Sequence, residues 1–343
     1  MKYTDRRSFI KKTAMASLGL GLNYVSTSAN IYKMTNKEKG KRIGMIGLDT
    51  GHSVDFTKAI NDPLAGNKYD GYKVVAAYPN GTDIEIWKNR IPEFTEEIKN
   101  QGVEIVNSID EMLKKVDVVM LTCIDGNKHL EQVLPVLKAG KRLFIDKPFA
   151  GSLSDGYSIA DAAKYYNVPM FSSSSLRYID GVNEIAAGKI GKVIGVEAYS
   201  PAHIEEHHPD LFWYGIHGVE ILFTLMGMGC RSVKRTFTEH TDVVVGLWED
   251  DRIGCYRGIR EGKGSYGATV FGEKDIVVLG KNQGYLPLLE KITEFFSTGV
   301  VPVAVEETLE ILAFMQAAEE SKLKGGISID IASVMQKAKM KSK

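Results

Sequence analysis

In the run FIDKPFA, Lys147 stands between Asp146 and Pro148, directly after a short apolar stretch. A proline disfavours helical geometry at the residue before it, so Lys147 is expected in an extended or turn conformation. Phe144 and Ile145 read as the end of a buried strand, and open α/β sheets bind ligands at such carboxyl ends. An amine fixed there can polarise and orient an oxygen once burial or a nearby cation lowers its pKa. His217, in WYGIHGVEILFTLMG, has an intrinsic pKa close to neutrality and suits proton transfer. A hydride leaves a hydroxyl-bearing carbon only as the hydroxyl proton is taken by such a base. The bland alternatives are a surface lysine at a strand end and a core-facing helical histidine.

A second stretch, KRIGMIGLDTGHS, opens like a strand and turn that bind a dinucleotide. Such turns use a first glycine for tightness, a second to let the backbone approach the pyrophosphate, and a third to pack helix on strand. Gly47 fills the first role, Leu48 follows it, Asp49 stands in the second, and Gly51-His52 straddles the third. A carboxylate beside a pyrophosphate is unfavourable unless it points away or meets a cation. The helix start behind it still favours an anion, with Thr50 and Ser53 as further donors. An acidic residue for the adenosine ribose is expected after the second strand, where VVAAYPNG offers Tyr78-Pro79-Asn80. This leaves room for NADP, for a differently seated cofactor, or for none.

The segment SPAHIEEHHPDLFWYGIH concentrates His203, Glu205, Glu206, His207, His208 and Asp210. Their spacing fits no helical zinc motif, so no metal site is expected. His207, Trp213 and Tyr214 suit hydrogen bonding to, and stacking on, a carbohydrate. Arg177, in SSSLRY, either faces the same cleft or forms a structural ion pair, and the sequence alone weighs these equally.

These residues need elements to position them. From Lys41 onward, RIGMIG, KVVAAY, VDVVML and RLFID read as strands buried on both faces. VDFTKAINDP, EFTEEIKNQG and NKHLEQVLPVLKAG alternate with them as helices. That alternation predicts an α/β Rossmann unit, a doubly wound parallel sheet, over residues 41–150. After Pro148 one helix (154–166) and a short strand (169–172) lead into KVIGVEAYS, CRSVKRTFTEH, TDVVVGLWED, RIGCYRGI, SYGATVFGE and DIVVLG. Period-two alternation there predicts a C-terminal α+β unit, residues 151–343, with a large, open, mostly antiparallel sheet. GIHGVEILFTLMG is expected as a helix against one face of that sheet. EETLEILAFMQAAEESK is expected to be the closing amphipathic helix before a Lys-rich tail.

Residues 1–29 read as a bacterial twin-arginine export signal: Arg6-Arg7 before Ser8-Phe9, an apolar stretch from Ala14 to Leu22, then the small residues Thr27-Ser28-Ala29. The apolar stretch is short for a membrane span, which needs about 20 residues. No cysteine follows it to carry a lipid, so no membrane anchor is expected. Residues 30–40 read as a linker, and the mature chain is expected in the periplasm. The 343 residues carry 43 basic and 43 acidic side chains; without residues 1–29 the balance is 38 to 42. That balance implies no nucleic-acid partner. Cys123, Cys230 and Cys255 are too few for a disulfide framework.

Taken in order, RIGMIG, His129 ahead of KAGKRLFIDKP, SSSLRY and WYGIHGVEILFTLMG resemble the glucose–fructose oxidoreductase, inositol dehydrogenase and rhizopine-catabolism family (Gfo/Idh/MocA), from about Lys41 to Gly326. The resemblance implies NAD or NADP as cofactor, tightly retained in an exported member, and a sugar, glycoside or polyol as substrate. It also implies a homodimer or homotetramer formed through the C-terminal sheet. The family's Glu-Lys-Pro maps on Asp146-Lys147-Pro148, whose lysine would contact the nicotinamide ribose and the substrate hydroxyl. Its Asp-x-Gly-x-His maps on Trp213 to His217, keeping the histidine as acid–base and replacing the aspartate by Trp213. Its Thr-Pro pair becomes Thr122-Cys123, with a loop to His129 two residues longer. Lys147 and His217 are thus the catalytic candidates. The cofactor candidates are Gly47 to His52, Thr122, Cys123, His129 and Asp146 to Pro148, and the substrate candidates are Arg177, His207, Trp213 and Tyr214. Two other functions fit the departures: a glycosidase or lyase that oxidises its sugar transiently on retained NAD, and a sugar-binding protein on a decayed oxidoreductase scaffold.

Overall fold

The computed structural model describes residues 40–342; the expected export signal and most of the linker lie outside the described residues. The first half alternates strand and helix: β1 (Arg42–Ile46), α1 (Gly51–Asn61), β2 (Lys73–Tyr78), α2 (Glu85–Lys88), α3 (Ile91–Asn100), β3 (Glu104–Ile105), α4 (Ile109–Leu113), β4 (Val118–Leu121), α5 (His129–Lys138), β5 (Leu143–Ile145), α6 (Leu153–Tyr166) and β6 (Met170–Ser172). These strands form one sheet in the order β3-β2-β1-β4-β5-β6, and every adjacent pair is parallel. The order reverses between β1 and β4, which makes the strand ends there the crevice of a doubly wound fold. Both faces of β4 and β5 are buried, as their unbroken apolar runs require.

β6 differs from the sequence expectation. The strand expected to open the C-terminal unit pairs with β5 and extends the first sheet. α6 precedes it, so β5, α6 and β6 form another parallel strand–helix–strand unit.

The chain then builds α7 (Val182–Ala186), β7 (Val193–Pro201), a π-helical turn (Leu211–Gly215), α8 (Ile216–Met226), β8 (Cys230–Phe237), β9 (Thr241–Trp248), β10 (Ile253–Ile259), β11 (Gly267–Gly272) and β12 (Ile276–Leu279). It ends in α9 (Leu286–Thr298), α10 (Val305–Leu323), β13 (Ile329–Asp330) and α11 (Ile331–Lys341). The second sheet runs β12-β11-β7-β10-β9-β8-β13 and is antiparallel except for the parallel pair β7–β10. Burial alternates along β8 and β9, with the inner residues under α8 and α10. The outer face exposes Ile194, Ile253, Ile276 and Val278.

Two features of the second half depart from the sequence expectation. α10 does not close the chain, because the Lys-rich tail forms α11. Its Ile331, Val334 and Ala338 recur at helical spacing and are buried, and Asp330 caps its start by accepting from the Ser333 N–H. The other departure is α9. Leu288, Leu289, Ile292, Phe295 and Phe296 pack into the core of the first sheet with Ile43, Phe56 and Phe171, so a late helix closes an early core.

At the first turn Gly47 has φ of +84°, and a Cβ there would lie 2.6 Å from the backbone of Cys123. Gly47→Ala must therefore strain the backbone and part β1 from the loop after β4. It is expected to cost at least about 2 kcal/mol, read as a lowered urea midpoint with an unchanged m-value.

Candidate active site

The strand ends of the first sheet and the start of α8 bring Lys147, Tyr214 and His217 together. Lys147, at the end of β5, is buried (7% exposed), and its Nζ lies 5.6 Å from the centroid of the Tyr214 ring. Burial lowers its pKa, opposed by the carboxylates of Asp146 and Asp49. His217, in the first turn of α8, is 7% exposed, and its Nδ1 lies 2.7 Å from Ser174 Oγ. Burial, then the charges of Lys147 and His52, hold its pKa well below the ordinary value. The imidazole is thus neutral at pH 7. With its proton on Nδ1 toward Ser174, it keeps an acceptor lone pair on Nε2. The Tyr214 and Tyr266 rings meet His217 edge-on, at 5.8 and 5.7 Å between centroids.

Asp146 is held by the neighbouring helix. Its Oδ2 lies 2.5 Å from His52 Nδ1, and its Oδ1 accepts from the Lys147 N–H at 2.9 Å. Burial works against ionisation, but His52 and Lys147 hold its pKa below the ordinary carboxylate value. His52 therefore does more than replace a packing glycine: it ties α1 to β5, beneath the Tyr285 ring at 4.8 Å.

Asp49 is wholly buried and directed across the crevice. Its Oδ2 accepts from the Thr82 N–H at 2.7 Å and its Oδ1 from the Ile124 N–H at 2.9 Å. It joins the loop after β2 to the loop after β4. Burial raises its pKa to about 6, against these bonds. A value raised above the unfolded one means stability present below about pH 4 and lost as pH rises through 6. The loss amounts to about 3 kcal/mol by linkage. Asp49→Asn is expected to remove most of that decline, seen by comparing urea unfolding at pH 4.5 and 7.5; an unchanged decline in the variant would refute the assignment.

Other cofactor candidates are occupied within the fold. Thr122 Oγ1 donates to the Gly47 carbonyl at 2.8 Å. His129 is fully buried, its Nε2 2.8 Å from the Cys123 carbonyl and its Nδ1 3.2 Å from that of Phe149. Cys123 is buried, and burial holds its thiol protonated. Leu48 is wholly buried, and Thr50 caps α1, while a Cβ at Gly51 would meet nothing within 4 Å. The Lys147–Pro148 peptide is cis. α1 carries no acid in its first turn, so its start suits an anion.

The substrate candidates divide. Trp213 and Tyr214 sit on the π-helical turn at the cleft, with Trp213 5% exposed against Trp87, Ile84 and Ile124. His207 is exposed and pairs with Glu205 at 2.7 Å, whereas its neighbour His208 is buried 3.2 Å from Asp125. That pairing helps hold the Asp125 pKa down to about 2 despite burial. Arg177 is a structural ion pair: it meets Glu220 at 2.9 Å and Glu307 at 2.7 Å, both on helices of the second unit. Its guanidinium is thereby committed to the interior rather than to a substrate. No group of three or more metal-ligating side chains occurs among the described residues.

Sequence reasoning missed Ser174, Thr82, Tyr266 and Tyr285. Only Ser174 carried a signal, as one of four consecutive serines at the end of a strand.

Residues 41–173 match the family model GFO_IDH_MocA, described as an oxidoreductase family with an NAD-binding Rossmann fold. An uncharacterized oxidoreductase of Streptococcus pneumoniae is 26% identical over 190 residues, covering 50% of this chain and 52% of its own. The chain thus spans about half or less of the curated relatives it matches. Among solved structures, a probable dehydrogenase of Thermotoga maritima superposes with a TM-score of 0.69 at 20% identity, over 85% of this chain and 99% of that one. A scyllo-inositol dehydrogenase of Lactobacillus casei, solved with NAD(H) and scyllo-inositol, gives 0.68 at 16% identity, over 86% and 100%. These likenesses establish a shared two-sheet fold. The likeness to the GFO_IDH_MocA oxidoreductase family of NAD-binding Rossmann fold lies in residues 41–173, which carry the parallel sheet and Lys147.

Proposed function

We propose that this protein is an NAD(P)-dependent oxidoreductase acting on a hydroxyl-bearing carbon of a sugar, glycoside or polyol. The observation that carries the reading is the buried Lys147 ammonium at the end of β5, beside the neutral His217 and the ring of Tyr214. When bound, the nicotinamide would supply the hydride acceptor or donor. Lys147 holds and polarises the reacting oxygen, and His217 takes its proton through Nε2 while Ser174 fixes the ring. Tyr214 offers a ring to a sugar beside Lys147, whereas Trp213, expected to do the same, is packed between Trp87 and His208. The inositol dehydrogenase named above supports a polyol or sugar as the substrate class.

The residues fit a dinucleotide at one end more readily than at the other. A cavity of about 490 Å3 at the end of β2, lined by Tyr78, Thr82, Lys88, Lys128 and Gln132, has room for an adenosine. Asp49 opposes a diphosphate in the turn beside it. That feature alone favours the second reading, a sugar-binding protein without turnover. The twin-arginine signal supports export to the periplasm, and the exposed Ile253, Ile276 and Val278 of the second sheet support a homo-oligomer.

Purified protein is to be screened with inositols, aldoses and glycosides in the presence of NAD+ or NADP+, following absorbance at 340 nm. Reduced cofactor formed with one substrate class supports the reading. Binding of sugars without any hydride transfer, in either direction and with either cofactor, overturns it in favour of the binding protein.

A further inference from the structure

The crevice between β1 and β4 is divided by the chain itself. Asp49 spans it, accepting from Thr82 on the loop after β2 and from Ile124 on the loop after β4. The bridge is reinforced above and beside it. Thr82 Oγ1 donates to Asp125 Oδ2 at 3.0 Å, and Ile84 and Trp87 pack on Ile124 and Trp213, the Trp rings 6.0 Å apart. Residues 79–90 therefore form a lid joined to the wall of the catalytic cleft. On the far side of Gly81 and Thr82 lies the 490 Å3 cavity. Gln132 lines it while 5% exposed, and its buried amide oxygen has no hydrogen-bond partner among the described residues. Lys88 and Lys128 also line it, both drawn to Asp83 at 3.6 and 2.5 Å.

A dinucleotide needs its diphosphate at the start of α1, over the second position of the turn. In this chain that position projects an acceptor-only group whose two lone-pair partners are backbone N–H groups of the flanking loops. Those are donors a bound diphosphate would otherwise compete for, and the carboxylate repels it. Resting on the oxidoreductase reading above, we propose that Asp49 latches the lid shut as an internal substitute for the diphosphate. The closed protein then receives only an adenosine-sized ligand in the β2 cavity, and a whole dinucleotide enters when Asp49 releases Thr82 and Ile124.

Gly81 offers an independent handle on the latch. A Cβ at Gly81 would lie 2.0 Å from Asp49 Oδ2, so Gly81→Ala must displace the carboxylate or the lid while leaving Asp49 in place. The test compares the whole mature protein with its Asp49→Gly and Gly81→Ala variants, each confirmed folded by circular dichroism. Titration calorimetry with NADH, NADPH and adenosine is paired with amide hydrogen exchange at Thr82 and Ile124. The latch predicts at least tenfold tighter binding of a dinucleotide by both variants, with adenosine binding unchanged within about twofold. It also predicts at least tenfold faster exchange at both amides. Unchanged exchange, or a dinucleotide that the wild type binds and both folded variants bind equally or more weakly, overturns it. Faster exchange with no dinucleotide bound by any of the three proteins leaves the latch standing and overturns the oxidoreductase reading instead.

Discussion

Lys147→Met is expected to lower kcat/KM for the substrate found by the absorbance screen by about 10²–10⁴-fold, the range for losing a positioned proton-transfer or polarising group. Methionine keeps the length and most of the volume of the lysine stem, so packing beneath Tyr214 survives. The fold is not expected to suffer. Burial already disfavours the ammonium, and only the carboxylates of Asp146 and Asp49 support it. A urea midpoint equal to or above that of the wild type, together with the lost turnover, would separate chemistry from folding. Dinucleotide affinity measured by calorimetry should change by less than the rate does. If kcat/KM falls by less than tenfold, Lys147 is a structural lysine and His217 must act without it.

Arg177→Met is expected to cost about 3–5 kcal/mol of stability, the usual penalty for removing one partner of a buried ion pair. Three elements meet at this guanidinium: the turn after β6, which carries it, α8 through Glu220, and α10 through Glu307. Glu220 is 4% exposed, and burial already raises its pKa even with the arginine present. Without Arg177 its ionised form keeps, among the described residues, the Ser174 N–H at 3.3 Å. The pH dependence has a definite sign. A carboxyl whose folded pKa is raised gives stability below its unfolded value, about 4.3, and loses it as pH rises through the folded one. The deficit of the variant should therefore be largest at pH 7 and shrink toward pH 4.5, in urea unfolding at both. A deficit that is small at pH 7 would show Arg177 to be dispensable, and a large one constant with pH would show that Glu220 is not the group responsible. Because Ser174 also holds His217, activity should fall along with stability.

The strands β1, β2, β4 and β5 were legible because strands buried on both faces leave uninterrupted apolar runs. Lys147 was legible for a local reason, a proline that fixes the residue before it. What stayed hidden is long-range. β6 reads like any short strand, and nothing local tells that its partner is β5 rather than β7. The parallel pair β7–β10 is hidden in the same way, because period-two alternation does not report strand direction. The orientation of Asp49 was open in the sequence, since its partners Thr82 and Ile124 lie 33 and 75 residues away. Arg177 shows the same limit more sharply. A lone arginine after a strand suits a cleft or an ion pair equally, and only the approach of α8 and α10 decides.

The docking of α9 onto the first sheet has a bearing on how the chain is born. When residue 173 leaves the ribosome, all six parallel strands exist, but the layer that Leu288, Ile292 and Phe295 supply to Ile43, Phe56 and Phe171 does not. About 130 further residues must be translated before that face is covered, on the order of ten seconds at ordinary elongation rates. Throughout that interval the part of this face that α9 covers, beside α1 and α3, stays open and apolar. The chain is thus expected to finish both units together rather than in order of synthesis, and to call on holding chaperones while it waits.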